Sequence, residues 1–180
     1  MPATRRPTST TASMISEPGP ALRILLVVAS LSGNTRELGR HIQARCAAAG
    51  HAVHWHEADD LRTPPSLAAD EADLVLLGSW TDNAGRTPAE MKAWVAGVVE
   101  RGERLREVAV FGTGETQWGQ EYYCGAVHRL IRYFNSRYPP LEIEQMPHGA
   151  RDAVAIDAWT ATVLAHYWST HDADHRRHHA

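Results

Sequence analysis

The sequence predicts an α/β domain built on a parallel sheet of five strands. Three observations lead to this fold class. Five short runs are rich in Val, Ile and Leu, they alternate with segments that carry helix signals, and two of them, the first and third, are mostly continuous apolar runs. Strands that alternate with helices form parallel sheets, and right-handed crossovers place those helices on both faces.

The predicted strands are spaced along the whole length of the domain. They cover residues 22–29, 52–57, 73–78, 108–112 and 141–145. The first and third are mostly continuous apolar runs, which suits strands that are buried on both faces. The second differs, because His54 and His56 alternate with Val53 and Trp55.

Helix signals fill most of the intervals between the strands. The first helix ends near residue 49, because Gly50 stands in the usual position after a helix C-terminus. Pro88 opens the second, which reaches about residue 101, since proline suits a first helical turn. Between the second and third strands, Pro64 and Pro65 predict a short or irregular crossover.

Two further helices complete the pattern. The third covers residues 123–136 and carries Val127, Leu130, Ile131 and Phe134 on one face. The last covers residues 151–168, after the fifth strand. The helix-and-strand pattern therefore defines one domain over residues 22–168.

Length and composition exclude several classes of protein. A chain of 180 residues with 43% hydrophobic residues suits one domain with a full core. The net charge of −3 argues against a nucleic-acid partner. Cys46 and Cys124 are far apart, which excludes a disulfide framework and a cysteine-rich zinc site, and we expect no metal. The apolar run 24–29 is too short to cross a bilayer, so we expect no membrane association.

Both ends of the chain differ in composition from the domain. Residues 1–21 are rich in Pro, Ser, Thr and Ala without a hydrophobic period, which predicts a disordered arm. This arm has no apolar signal segment, so we expect a cytoplasmic protein. Residues 169–180 form a polar, His-rich segment, which we interpret as a solvated tail rather than a metal site.

The loop after the first strand has the residues of an anion site. Ligands of parallel sheets bind beyond the carboxyl ends of the strands, at the point where the strand order reverses. This loop consists of Ser30, Leu31, Ser32, Gly33, Asn34 and Thr35, and a helix follows it. Hydroxyls and backbone N–H groups at a helix N-terminus suit phosphate, although simple N-capping explains the same residues. Neither the P-loop nor the G-x-G-x-x-G pattern occurs, which disfavours nucleoside triphosphates and Rossmann dinucleotides.

The loops after the third and fourth strands carry ring surface and small residues. Candidate ligand contacts in the first of them are Ser79, Trp80, Thr81, Asn83, Ala84 and Gly85. Those in the second are Gly112, Thr113, Gly114, Trp118, Gly119, Tyr122, Tyr123 and Cys124. A phosphate loop beside two aromatic loops fits a ligand with a phosphate at one end and a flat ring at the other. Flavin mononucleotide (FMN) has that shape.

These residues also resemble a known family, the flavodoxins. The stretch from Ser30 to Thr35 resembles the [ST]-x-[ST]-G-x-T phosphate signature, and residues 110–115 and 122–127 are similar to the segment that covers the flavin ring. The resemblance covers about residues 22–168. It implies a three-layer sandwich with strand order 2-1-3-4-5 and FMN at the switch point. It also implies that Trp80 and Trp118 flank the ring, with Tyr122 as the alternative to Trp118.

The resemblance implies an FMN-binding electron-transfer protein that cycles between quinone, semiquinone and hydroquinone flavin, without catalytic residues of its own. The expected donor is a flavin reductase or a ferredoxin/flavodoxin reductase, and the acceptor stays open, with ribonucleotide reductase as one candidate. The two flavin loops are also similar to those of the flavodoxin-like activator of class Ib (manganese) ribonucleotide reductase, which is the second hypothesis. An NAD(P)H-dependent quinone or nitro reductase and a flavin-free binding module are the third and fourth.

Charge separates this chain from ordinary flavodoxins, which are usually much more acidic. Acidic residues near the proposed site leave a local docking patch of Asp82, Glu115 and Glu121. Basic residues dilute it, namely Arg86, Arg129 and Arg132. The mild charge therefore favours a specialised partner over a general-purpose electron shuttle.

Overall fold

The computed structural model describes residues 20–60 and 62–178, with side chains described as far as His171. Within these residues there are five strands and four helices, and a helix follows every strand except the second. The strands are β1 (Arg23–Ala29), β2 (Ala52–Glu57), β3 (Leu74–Trp80), β4 (Val108–Gly114) and β5 (Leu141–Glu144). The helices are α1 (Asn34–Ala48), α2 (Ala89–Glu100), α3 (Gly125–Phe134) and α4 (Gly149–His178).

All five strands are parallel, in the order β2-β1-β3-β4-β5. This confirms the fold class and the strand order that the resemblance implied. The order reverses between β1 and β3, so the loops that follow these strands diverge and leave a crevice at the carboxyl edge of the sheet. The loop after β4 borders the same crevice.

Two hydrophobic clusters separate the sheet from the helices on either face. One cluster joins the sheet to α1 and α4 through residues such as Leu38, Ile42 and Ile156. The other joins it to α2 and α3, with Met91 and Val127 among its members. Residues of β1 from Ile24 to Ala29 are at most 1% exposed, as expected of a strand covered on both faces. The arrangement is therefore a three-layer sandwich.

The predicted element boundaries differ from the structure mainly at the carboxyl edge. Strands β3 and β4 each run two residues further than expected, to Trp80 and Gly114. Helix α3 begins at Gly125 rather than at residue 123. No helix occupies residues 58–60 or 62–73 between β2 and β3, so the irregular crossover is confirmed for the described residues.

Helix α4 is longer than predicted and ends at His178 instead of residue 168. The stretch beyond Trp168 contains neither Gly nor Pro, so nothing in it breaks the helix. The ring of His171 stacks on Tyr167 with centroids 4.1 Å apart. The predicted tail, 169–180, is thus helical as far as His178, and residues 179 and 180 lie outside the described part. The predicted arm, 1–21, lies outside it too, except for Pro20 and Ala21.

Strand β2 carries a buried histidine, and we expect it to make the fold sensitive to acid. Burial lowers the pKa of His56 below its ordinary value of 6.5. The unfolded chain therefore binds a proton more readily than the folded chain, and stability falls as the pH drops below about 6.5. Urea unfolding at a series of pH values should show a steeper acid loss for the natural chain than for His56→Gln. Parallel pH profiles for the two proteins would contradict this role of His56.

Candidate functional site

A cavity of about 440 Å³ opens at the carboxyl edge of the sheet, where the strand order reverses. All three loops that the sequence singled out contribute to its wall. Its lining consists of Leu31, Ser32, Asn34, Trp80, Thr81, Asp82, Asn83, Ala84, Gly85, Thr113, Gly114, Glu115, Trp118, Tyr122 and Gln145. This volume lies in the usual range of small-molecule and cofactor sites.

The first loop ends at the N-terminus of α1. Gly33 precedes the helix with a φ of 96°, a left-handed conformation that glycine adopts without strain. Within the described chain, no group accepts a hydrogen bond from the backbone N–H of Asn34 or Thr35. The next N–H, that of Arg36, is bonded to the Ser30 hydroxyl at 3.2 Å. Two N–H donors and the positive end of the helix dipole are therefore available to an anion.

A buried hydroxyl pair links the first loop to the third. The Oγ1 atoms of Thr35 and Thr113 lie 2.8 Å apart, and the Thr35 side chain is fully buried. Thr113 lines the cavity, whereas Thr35 does not. The bond joins the start of α1 to the end of β4 and so connects the first loop with the third.

The second loop turns sharply after β3 and presents backbone to the cavity. Asp82 and Arg86 pair in an antiparallel bridge, and Asp82 Oδ1 accepts a hydrogen bond of 2.7 Å from the backbone N–H of Asn83. Inside this turn Ala84 has a φ of 56°, which is uncommon for a residue with a Cβ. The backbone strain lies at the cavity wall, which is typical of a ligand-contacting turn.

The indole of Trp80 is anchored at the base of the second loop. Its Nε1 donates a hydrogen bond of 2.6 Å to Glu90 on α2. The ring also packs against the hydrophobic cluster beneath α2 and α3, so it forms a fixed wall of the cavity.

The third loop contributes aromatic rings that remain open to solvent. Trp118 is 70% exposed and Tyr122 is 40% exposed, although both line the cavity. The Trp118 Nε1 donates to a Glu115 carboxylate oxygen at 2.9 Å. A second carboxylate, that of Glu144, accepts from the backbone N–H of Thr116 at 2.9 Å. Large exposed rings at the rim of a cavity are suited to cover a flat ligand.

Helix α3 holds the second loop in place. The Nε of Arg129 donates a hydrogen bond of 2.9 Å to the backbone carbonyl of Gly85. Gly125 approaches the same residue so closely that a Cβ there would lie 2.5 Å from the Gly85 oxygen. The position of the second loop thus depends on how α3 packs against it.

Eight of the predicted contact residues are not part of the cavity lining, and their role as contacts stays a prediction. They are Ser30, Gly33, Thr35, Ser79, Gly112, Gly119, Tyr123 and Cys124. Most of them are backbone or packing positions: the Ser79 hydroxyl is buried and donates to the Trp80 carbonyl at 2.8 Å. Cys124 is buried at the start of α3, and burial raises the pKa of its thiol to about 12. This thiol is therefore protonated and unreactive at neutral pH.

Gln145 lines the cavity but was absent from the predicted contacts. It follows β5 and its backbone N–H donates to the Gly114 carbonyl at 2.8 Å, which places it beside the third loop. The signal for it was present, because a residue that follows β5 lies at the same edge as the three loops. Asp82 and Glu115, predicted as part of a docking patch, also line the cavity.

The lining contains two carboxylates and no Lys or Arg side chain. The nearest cation on the second loop is Arg86, whose Nη2 lies 3.6 Å from the Asp82 carboxylate and whose side chain is 59% exposed. A helix end with free N–H donors at one side and aromatic, mildly acidic surface at the other indicate a nucleotide-cofactor protein of the α/β class.

Comparison with known proteins identifies the family within that class. The family model described as "Flavodoxin" matches residues 26–137. A Bacillus subtilis protein named "Probable flavodoxin 2" is 31% identical over 140 residues, which cover 75% of this chain and 90% of the relative. The chain belongs to the flavodoxin family.

Solved structures of flavodoxins show the same fold. Oxidised flavodoxin 1 from Bacillus cereus superimposes with a TM-score of 0.69 at 22% identity, over 80% of this chain and 98% of that one. Flavodoxin 2 of the same organism gives a TM-score of 0.65 at 26% identity, with the same two coverages. Flavodoxins bind FMN and transfer electrons, and the chain is an FMN-binding electron-transfer protein of this family. The comparisons do not favour the reductase activator or the NAD(P)H-dependent reductase.

The described part of the chain contains no helix that is long and apolar enough to cross a membrane.

Proposed function

We propose that the chain passes electrons between protein partners with FMN seated in the cavity at the carboxyl edge. The observation that carries this proposal is the convergence of all three predicted loops on one cavity of about 440 Å³. The bound flavin supplies the redox chemistry, and the protein supplies binding, orientation and electrostatics.

The first loop is the proposed phosphate site. The N–H groups of Asn34 and Thr35 point out of the α1 N-terminus and have no acceptor among the described residues. Ser32, which carries a hydroxyl, also lines the cavity. This set neutralises a phosphate by dipoles and hydrogen bonds, without a lysine or arginine side chain.

The second and third loops are the proposed ring site. Trp80 is fixed by its bond to Glu90 and forms the inner wall, while Trp118 and Tyr122 supply the outer one. Asp82 and Glu115 also face the cavity. Carboxylates near the ring disfavour added negative charge on the cofactor, so we expect its most reduced, anionic form to be reached only at a low potential.

The partners belong to the same proposal. A flavin reductase or a ferredoxin/flavodoxin reductase is the proposed electron donor, and ribonucleotide reductase is one candidate acceptor. The support is the family membership together with the open, solvent-exposed rim of the cavity around Trp118. The expected cytoplasmic location stays a prediction, which cell fractionation tests.

The visible absorption spectrum of the purified protein is the direct test of the proposal. We expect a yellow protein whose flavin, released on denaturation, is FMN, and whose apoprotein melts at a higher temperature when FMN is added back. A stoichiometric redox titration then gives the potentials. A colourless protein with an unchanged melting temperature would refute the proposal, and steady NADPH oxidation by the protein alone would favour the reductase hypothesis instead.

A variant of the first loop separates phosphate binding from ring binding. We expect Thr35→Ala to weaken FMN more than riboflavin, because only FMN carries the phosphate and because the change leaves the Thr113 hydroxyl without its partner at the start of α1. A net hydrogen bond is worth about 0.5–1.5 kcal/mol, so the FMN dissociation constant should rise by roughly two- to tenfold. Fluorescence titration measures both affinities. If FMN and riboflavin lost affinity equally, the first loop would not bind the phosphate.

A further inference from the structure

A second concave surface lies between α2 and α3, outside the cofactor cavity. Its volume is about 320 Å³. We call it the α2–α3 groove, and define it by Lys92, Val95 and Ala96 on α2 and by Arg129, Leu130 and Tyr133 on α3. Its walls are mostly apolar, while Lys92 and Arg129 add positive charge. The ring of Tyr133 is 63% exposed.

The cations of this groove have no carboxylate partner. Within the described chain, neither Lys92 nor Arg129 forms a salt bridge, and the same is true of Arg132, which is exposed on α3. Glu90, two residues before Lys92, is engaged with the Trp80 indole instead. Some arginines elsewhere on the surface do pair with carboxylates, as Arg36 does with Glu57 at 2.8 Å. The groove is therefore a local positive patch on a chain of net charge −3.

The groove adjoins the wall of the cofactor cavity. Arg129 uses its Nε to bond the Gly85 carbonyl, and Gly85 lines the cavity. That bond occupies one of the five N–H donors of the guanidinium. The other donors have no protein acceptor within the described chain. A carboxylate bound by Arg129 would thus be separated from the second loop only by the Arg129 side chain, which itself bonds Gly85 of that loop.

We propose that the α2–α3 groove is a docking site for an acidic segment of a protein that exchanges electrons with this one. A carboxylate of the segment lies against Lys92 and Arg129, and a neighbouring apolar side chain fills the space over Val95 and Leu130. This assignment rests on the electron-transfer function. Charge complementarity supports it, as do the exposed aromatic rim and the closeness of the groove to the cofactor cavity.

The sequence offers an unusually clean reporter for this interaction. Lys92 is the only lysine in the chain, so reductive methylation with ¹³C-formaldehyde labels one side chain besides the terminal amine. Methylation keeps the positive charge. The probe is a short synthetic peptide that alternates glutamate and leucine around one tryptophan. Its matched control has glutamine in place of each glutamate.

Titration of the methylated, FMN-loaded protein with these peptides tests the proposal. We expect the acidic peptide to shift the Lys92 methyl signal and the neutral peptide not to, with an affinity that falls as salt is added. In unlabelled protein, Lys92→Glu should raise the dissociation constant of the acidic peptide by about fivefold, the scale of an exposed ion pair. Arg104→Glu is the charge-matched control, because Arg104 is exposed and precedes β4, at the opposite edge of the sheet.

Several outcomes would overturn the proposal. Equal binding of the neutral peptide, an unshifted Lys92 signal, or equal losses in Lys92→Glu and Arg104→Glu would each do so. Self-association of the protein that Lys92→Glu abolishes would assign the groove to a second copy instead. The visible spectrum of the same samples reports FMN separately. If the protein binds FMN but not the peptide, the docking site alone is refuted. If the protein does not bind FMN, the cofactor site is refuted.

Discussion

Replacement of Gly125 by alanine is expected to weaken FMN binding, because an added methyl group in a well-packed place costs about 1–3 kcal/mol of stability and part of that cost falls on the ring site. The added Cβ would lie 2.5 Å from the oxygen and 2.7 Å from the Cα of Gly85. Both are backbone atoms, so no side-chain rotation relieves the contact. The second loop must move away from α3, and the wall of the ring site moves with it.

A second helical glycine provides the matched control. A Cβ at Gly97, on α2, would meet only the Nη1 of Arg101 at 3.1 Å, which is the far end of a flexible side chain. Alanine is the better helix former by roughly 1 kcal/mol. We therefore expect Gly97→Ala to leave FMN affinity unchanged and the free energy of unfolding equal or higher. Fluorescence titration with FMN and urea unfolding of the apoprotein measure the two quantities.

The result for Gly125→Ala distinguishes the steric contact of the added Cβ with Gly85 from the higher helix propensity of alanine. If Gly125→Ala bound FMN as tightly as the natural chain and were more stable, helix propensity would outweigh the contact, and α3 would not position the second loop. A loss of FMN affinity together with a smaller loss of apoprotein stability would show that the added Cβ acts by displacing the second loop.

The sequence was sufficient to predict the sheet, because buried parallel strands have a strong and local signature. The runs at β1 and β3 are mostly apolar, and loops that follow such strands meet at one edge. The end of α4 was not predictable in the same way. Polar residues beyond Trp168 suggested a frayed tail, whereas the stacking of His171 on Tyr167 is a contact that composition does not reveal.

The site was predicted at the level of loops rather than of atoms. Residue type shows that Thr35 and Thr113 can form hydrogen bonds, but not that their hydroxyls bond each other behind the wall. The role of Arg129 at the Gly85 carbonyl depends on how α3 packs, so a charge count placed it only as a diluting cation. Gln145 was not predicted because it belongs to the end of β5, which shares the edge but carries no loop rich in hydroxyls or aromatic rings.

Replacement of Trp118 by alanine is the other change with a large expected effect on the cofactor. Removal of a ring that stacks on the flavin should cost about 1–3 kcal/mol, which corresponds to a roughly five- to 150-fold rise in the FMN dissociation constant. The side chain is 70% exposed without ligand, so its loss should leave the unfolding free energy of the apoprotein nearly unchanged. Trp118→Ala should weaken the binding of riboflavin as much as that of FMN, whereas Thr35→Ala should weaken FMN more.

Three further variants decide which ring covers the flavin. Trp118→Phe keeps a stacking surface and should retain most of the affinity. Tyr133→Ala removes a ring of similar exposure, 63%, that lies outside the cavity. This variant should retain the full affinity for FMN. Tyr122→Ala tests the alternative wall. If Trp118→Ala bound FMN normally while Tyr122→Ala did not, Tyr122 would be the outer wall, and the exposed indole would be left for contact with a redox partner.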